Sequence, residues 1–153
     1  MALENISPIQ FSGISHVTAA PVCALGTERL VAGEKYLYVY NCGGSATGTG
    51  VAMSRPASAF AGIYSGSVSS VSGDMALGFV KHVSIPSAEY GWALVRGLVT
   101  VAVASSASDQ AAGPKTLGAN GLVATAGAGN KICGELTTAI VSGNSGSLLV
   151  NLG

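Results

Sequence analysis

Residues 88–103 read AEYGWALVRGLVTVAV. The stretch holds the only tryptophan of the chain and sets one arginine, Arg96, beside a glycine in an otherwise apolar run. No helical period fits it, and its β-branched content predicts a strand. Strand side chains alternate between faces. Gly91, Ala93, Val95, Gly97, Val99, Val101 and Val103 then share one face, all small or β-branched. Tyr90, Trp92, Leu94, Arg96, Leu98, Thr100 and Ala102 share the other. The small face suits the tight interior of a little barrel. The bulky face predicts a cover from another layer or another chain. We therefore place Tyr90, Trp92, Leu94 and Arg96 at a subunit interface. Arg96 reads as a rim residue, as half of an intersubunit salt bridge, or as a catalytic arginine. Gly97 beside it permits a bulge that turns the arginine outward.

The rest of the chain from Pro21 onward continues in short strands. Residues 33–41, GEKYLYVYN, alternate with period two: Tyr36, Tyr38 and Tyr40 on one face, Leu37 and Val39 on the other. The segments 60–74 and 75–85 read as two or three short strands separated by Ser and Gly. Asn120-Gly121 suits a tight hairpin turn, because both residues tolerate positive φ. GAGNK (127–131) and SGNSG (142–146) mark two further turns. These signals predict an all-β barrel or sandwich over residues 21–153. Residues 1–20 differ. Leu3, Ile6, Ile9 and Phe11 are scattered around Pro8 without a period, and read either as a frayed end or as an arm that orders on a partner.

Composition narrows the function classes. The chain has 153 residues, enough for one domain with a core of its own. Only 9% are charged, and seven basic residues cancel seven acidic ones. No Lys or Arg cluster offers a footprint for nucleic acid. No apolar run reaches the ~20 residues of a membrane helix, and aromatics at 6% are too few for the girdles of a membrane barrel. The first residues lack the basic and apolar regions of a secretory signal. A neutral, charge-poor chain tends to associate, so we expect a permanent assembly. Cys23, Cys42 and Cys133 are odd in number and widely spaced. They predict buried thiols in a reducing cytoplasm and neither a metal nor a cofactor site.

Three motifs invite chemistry. Gly-Asn-Ser-Gly at 143–146 resembles the nucleophile loop of trypsin-like serine proteases, and His16, Asp74 and Ser145 stand in the right chain order for a triad. Ser145 lies too near the last residue for the pocket strands of that family, and His16 too early for the first half-barrel. The glycine-rich loop GGSATGTG (43–50) lacks a phosphate-binding lysine and a following helix, and reads as a flexible hairpin loop. The tyrosine stripe could stack sugars, making the chain a sugar-binding β-module, but tyrosine also favours strands and interfaces. His82, beside Lys81, reads as a surface strand residue. The acids Glu28, Glu34, Asp74, Glu89, Asp109 and Glu135 are far apart in sequence, and nothing in their spacing suggests acid–base catalysis, so we expect no enzyme.

Taken in order, LGTERLVAGEKYLYVYNCGG (25–44), GFVKHVSIPSAEYGWALVRGLVTVAV (78–103), LGANGLVATA (117–126) and GELTTAIVSGNSGSLLVNL (134–152) resemble the head-decoration, or cement, proteins of tailed bacteriophages. The resemblance lies in pattern, composition and order. It implies a β-tulip-like domain forming a homotrimer on the outer capsid surface of a virion. It also implies the major capsid protein as partner, neighbouring capsid subunits clamped together, and an arm carrying Leu3, Ile6, Ile9 and Phe11 along the capsid protein.

Overall fold

The strand that decides the architecture is the sixth of ten. In the computed structural model, residues 13–55, 64–68, 75–102, 110–126, 131–141 and 145–152 are described. They form β1 (Glu28–Val31), β2 (Glu34–Asn41), β3 (Ala52–Ser54), β4 (Ser65–Val68), β5 (Ala76–Val80), β6 (Tyr90–Ala102), β7 (Gly113–Leu117), β8 (Val123–Thr125), β9 (Gly134–Leu136) and β10 (Ser145–Asn151). The fold is all-β; among the described residues the only helical element is a 3-10 turn at Ala119–Gly121.

The first half of β6 closes a ring. β2 pairs with β4, β4 with β3, β3 with β5, β5 with β6, and β6 returns to β2. Only the β2–β4 pairing is parallel. The alternation expected in β2 holds. Leu37 and Val39 turn inward with Met53, Leu77, Val80, Ala93 and Val95. Tyr36 and Tyr38 turn outward with Phe79, Trp92 and Leu94. The interior is narrow. A Cβ on Gly78 would stand 2.7 Å from that of Ala93, and one on Gly91 2.8 Å from Ile85. The small face read for Gly91, Ala93 and Val95 is thus the inside of the ring.

The parity then breaks. Arg96 faces Lys35 but Leu94 faces Tyr36, so Val95 is an extra residue in β6. Gly97 has φ 141°, a region that disfavours side chains. Beyond this bulge the odd residues Val99 and Val101 join the cluster that the even residues Trp92 and Leu94 occupied before it. One alternation through residues 90–102 is therefore corrected to two, of opposite phase. The strand also bends. Val80 pairs with Ala93 and its carbonyl accepts from the Gly50 N–H at 2.8 Å. A Cβ on Gly50 would lie 2.6 Å from the Thr100 carbonyl. A straight strand would separate residues 93 and 100 by about 23 Å, too far for that chain of contacts.

The second half of β6 begins an antiparallel sheet, β6–β10–β9–β7–β8. Its inner face carries Val99, Val101, Leu148, Val150, Leu136, Leu117 and Val123. These pack in one cluster with the ring's outer Tyr36, Tyr38, Phe79, Trp92 and Leu94. The other layer that the bulky face demanded is thus the chain's own second sheet. Each large apolar side chain so buried contributes about 1.5–3 kcal/mol.

Turns follow local chemistry in two places. Asn120 and Gly121 have φ of 58° and 67° and join β7 to β8, as their sequence predicts. Ala32 and Gly33, with φ of 50° and 82°, make the two-residue β1–β2 turn, with alanine where asparagine is usual. The glycine-rich loop is a correction. β2 and β3 do not pair, so residues 43–50 form a crossover, and it is pinned. Thr47 bridges Ile85, Asn41 Nδ2 donates to the Ser45 and Ile85 carbonyls at 2.9 Å each, and Ser87 Oγ donates to the Gly43 carbonyl.

Residues 13–18 of the expected arm dock on the ring. Thr18 bridges Tyr90, and Ile14 and Val17 pack against the outer and inner clusters. Leu3, Ile6, Ile9 and Phe11 lie outside the described residues, as does Asp74.

Candidate functional site

A groove of about 580 Å³ runs between the ring and the second half of β6, with Glu34, Lys81, Gly50, Thr100 and Ser145 among its walls. Its chemistry centres on Glu34. The β1–β2 turn places this residue at the start of β2, opposite the bulge. The Lys81 ammonium donates to both carboxylate oxygens, at 2.7 and 2.6 Å. The Tyr36 hydroxyl donates to Oε2 at 2.7 Å, and the Leu98 N–H donates to Oε1 at 3.0 Å. His82 Nε2 lies 2.9 Å from the Tyr36 hydroxyl. A Cβ on Gly97 would stand 2.8 Å from Glu34 Cγ, so the glycine also makes room for the carboxylate.

Burial alone would raise the Glu34 pKa. The bonds from Lys81, Tyr36 and Leu98 outweigh it and hold the carboxyl below its ordinary value. Burial and the neighbouring carboxylate push the Tyr36 hydroxyl up. A carboxylate held low by a cation and two further donors is a poor base at neutral pH. The arrangement is a clasp: it ties the start of β2, the end of β5 and the bend of β6 together. Sequence reasoning left Glu34 without a partner because Lys81 and Leu98, which meet it, come from two segments far from it in the chain. Its one legible trace was Gly97, since a bulge leaves an N–H that needs an acceptor.

The other expected site residues are dispersed. His16 lies two residues from Thr18, which bridges Tyr90 at the near end of β6. Ser145 pairs with Ala102 at the far end. Each half of β6 is about 20 Å long, so even the bend leaves the two side chains far beyond hydrogen-bond reach. Tyr36 and Tyr38 are each 1% exposed and present no stacking surface. They pack internally: Tyr38 lies 5.1 Å from Trp92 between ring centroids, and Tyr40 lies 4.8 Å from Tyr90. His82 is exposed, as expected, but follows β5 in a bend and is not in a strand.

Of the four residues placed at an interface, Trp92 and Leu94 are buried in the chain's own core. Their bulk is taken up by the second sheet, which corrects their assignment to a surface available to another chain. Tyr90 is half-buried, and Arg96 is exposed, turned outward at the bulge. The three cysteines are free thiols, but only Cys133 is buried, and burial pushes its pKa up to about 11. Cys23 and Cys42 are half-buried, which corrects the expectation of three buried thiols. Sequence reading also missed Lys115. It lies on the inner face of β7, is 2% exposed, and burial lowers its pKa.

Among the described residues no group of His, Cys, Asp and Glu could hold a metal ion. No helix there is long and apolar enough to cross a membrane. No protein-family model matches the chain, and a search of curated proteins finds no similar one.

Proposed function

We propose that this chain is a structural virion protein that binds the outside of a tailed-phage capsid and cements neighbouring major capsid subunits as a homotrimer. The observation that carries the reading is a set of large apolar side chains left exposed on a chain with few charges, two of them, Leu98 and Leu149, directly opposite on adjacent strands. Leu30, Val141, Ile132, Leu149 and Leu98 are 71%, 59%, 51%, 49% and 45% exposed. Large apolar side chains left exposed side by side, as Leu98 and Leu149 are, mark association surfaces. Two features support the same reading. The titratable groups of the groove are engaged in holding strands together. The apolar Leu3, Ile6, Ile9 and Phe11 of the sequence pattern suit an arm that lies along a capsid protein by strand addition.

The mechanism is mechanical. A protein that binds only the assembled shell stabilises that shell by linkage, in proportion to its affinity and free concentration. Copies that bridge several capsid subunits gain further from multivalency. Cosedimentation with purified heads, using the whole chain and a variant lacking residues 1–12, tests the proposal. The whole chain sediments with heads to a saturating level and raises the temperature at which they release DNA. The shortened chain keeps the docked segment 13–18, stays folded and stays in the supernatant. A whole chain that stays in the supernatant overturns the reading, and a shortened chain that coats heads as well as the whole one overturns the arm.

A further inference from the structure

We infer that the outer face of the second sheet is where a second copy of this chain docks, through Leu98 and Leu149 with Arg96 set against Glu135 of the other copy. The inference rests on the self-association in the reading above and adds a contact to it: a face that docks on its own copy closes a two-fold pair, so this contact joins copies of neighbouring trimers and is distinct from the three-fold one. A straight row crosses four strands there. Leu98 pairs with Leu149, Leu149 with Glu135, and Glu135 with Pro114. All four are exposed. Arg96 lies in the next row, opposite Asn151, and is also exposed.

Two properties make the face self-complementary. Leu98 and Leu149, directly opposite on adjacent strands, form an apolar centre that the chain itself leaves uncovered. Arg96 and Glu135 flank it, one of each sign, so the face is neutral as a whole. Neither forms an ion pair within the described residues. The two charges are about 12 Å apart on one face, two strands and two residues removed. That is too far to pair within one copy, but a second copy laid across the leucines can bring each charge to its opposite.

A charge-swap cycle tests the inference. Four proteins are compared by sizing chromatography with light scattering across a concentration series: wild type, Arg96→Glu, Glu135→Arg and the double variant. Circular dichroism serves as a folding control, and both substitutions fall on exposed positions. The wild type is expected to self-associate. Each single swap should raise its dissociation constant about tenfold or more by opposing like charges, and the double swap should restore association. Restoration excludes misfolding as the cause of the single-variant loss. A monomeric wild type at every concentration overturns the inference. So do single swaps that associate like wild type, or a double swap that fails to recover. Cosedimentation with heads is read on the same samples. A wild type that self-associates through this face but ignores heads sinks the capsid reading and leaves the docking face standing. Head binding with swap-insensitive association does the reverse.

Discussion

The two halves of β6 obey different rules within one strand. Residues 91–95 are buried on both faces, with Ala93 and Val95 inside the ring and Trp92 and Leu94 beneath the second sheet. Residues 96–101 are buried on one face only. Val99 and Val101 face in, while Arg96, Leu98 and Thr100 face out. The first half therefore tolerates no polar side chain on either parity, and the second half accepts one at every other position. The difference shows that a lone charge in an apolar run can mark a boundary between a strand covered twice and a strand covered once.

The sharpest way to break the comparison is to empty the doubly covered half. Trp92→Ala removes a side chain shared by both layers and should cost about 3–5 kcal/mol in urea unfolding. Trp92→Phe should cost far less, because Trp92 Nε1 is buried without a hydrogen-bond partner among the described residues and phenylalanine removes that donor. An equal loss for the two variants would show that the ring and the second sheet do not share this contact.

The boundary itself is the next target. Gly97→Ala places a Cβ against Glu34 at a positive φ and should cost about 1–3 kcal/mol. The clasp that holds the boundary comes after it. Glu34→Gln keeps the shape but loses the charge that binds Lys81 and should cost about 1–2 kcal/mol at neutral pH. The pH dependence has a definite sign. The folded-state pKa of Glu34 is lowered from 4.5, so the clasp contributes fully above that value. Its contribution is lost as pH falls through the lowered folded pKa. Urea midpoints from pH 7 to pH 3 should drop more steeply for wild type than for Glu34→Gln, and parallel curves would contradict the clasp. The smallest effect belongs to the singly covered half. Leu98→Ser should change the stability of the separate chain by less than about 0.5 kcal/mol, where Leu94→Ser should be severe.

Much of this was legible in the residues. The Tyr36–Tyr40 alternation, the Asn120-Gly121 turn and the bulge at Gly97 each rest on a local rule that needs no distant partner. What escaped depends on long-range closure. The bulge was foreseen but its consequence was not, because inverting the parity of Val99 and Val101 requires knowing how many residues the partner strand holds opposite it. The loop at 43–50 has the composition of a hairpin, yet its ends enter different strands, and only its anchors on Ile85 and Ser87 show why it is fixed. Glu34, Lys81 and His82 looked isolated because strand pairing brings together residues 34, 81 and 98 without any sequence period to announce it. The assignment of Trp92 and Leu94 to a subunit interface failed for the same reason: bulky, apolar and two-sided describes a strand under a second layer of its own chain as well as a strand under another chain.

Electron cryomicroscopy of phage heads decorated with the purified protein tests the capsid reading most directly. The account predicts ten-stranded density outside the shell, bridging adjacent capsid subunits, with the leucine-bearing face of β6 and β10 turned toward neighbouring copies. A bare outer surface, or density confined to the inside of the shell, would contradict it.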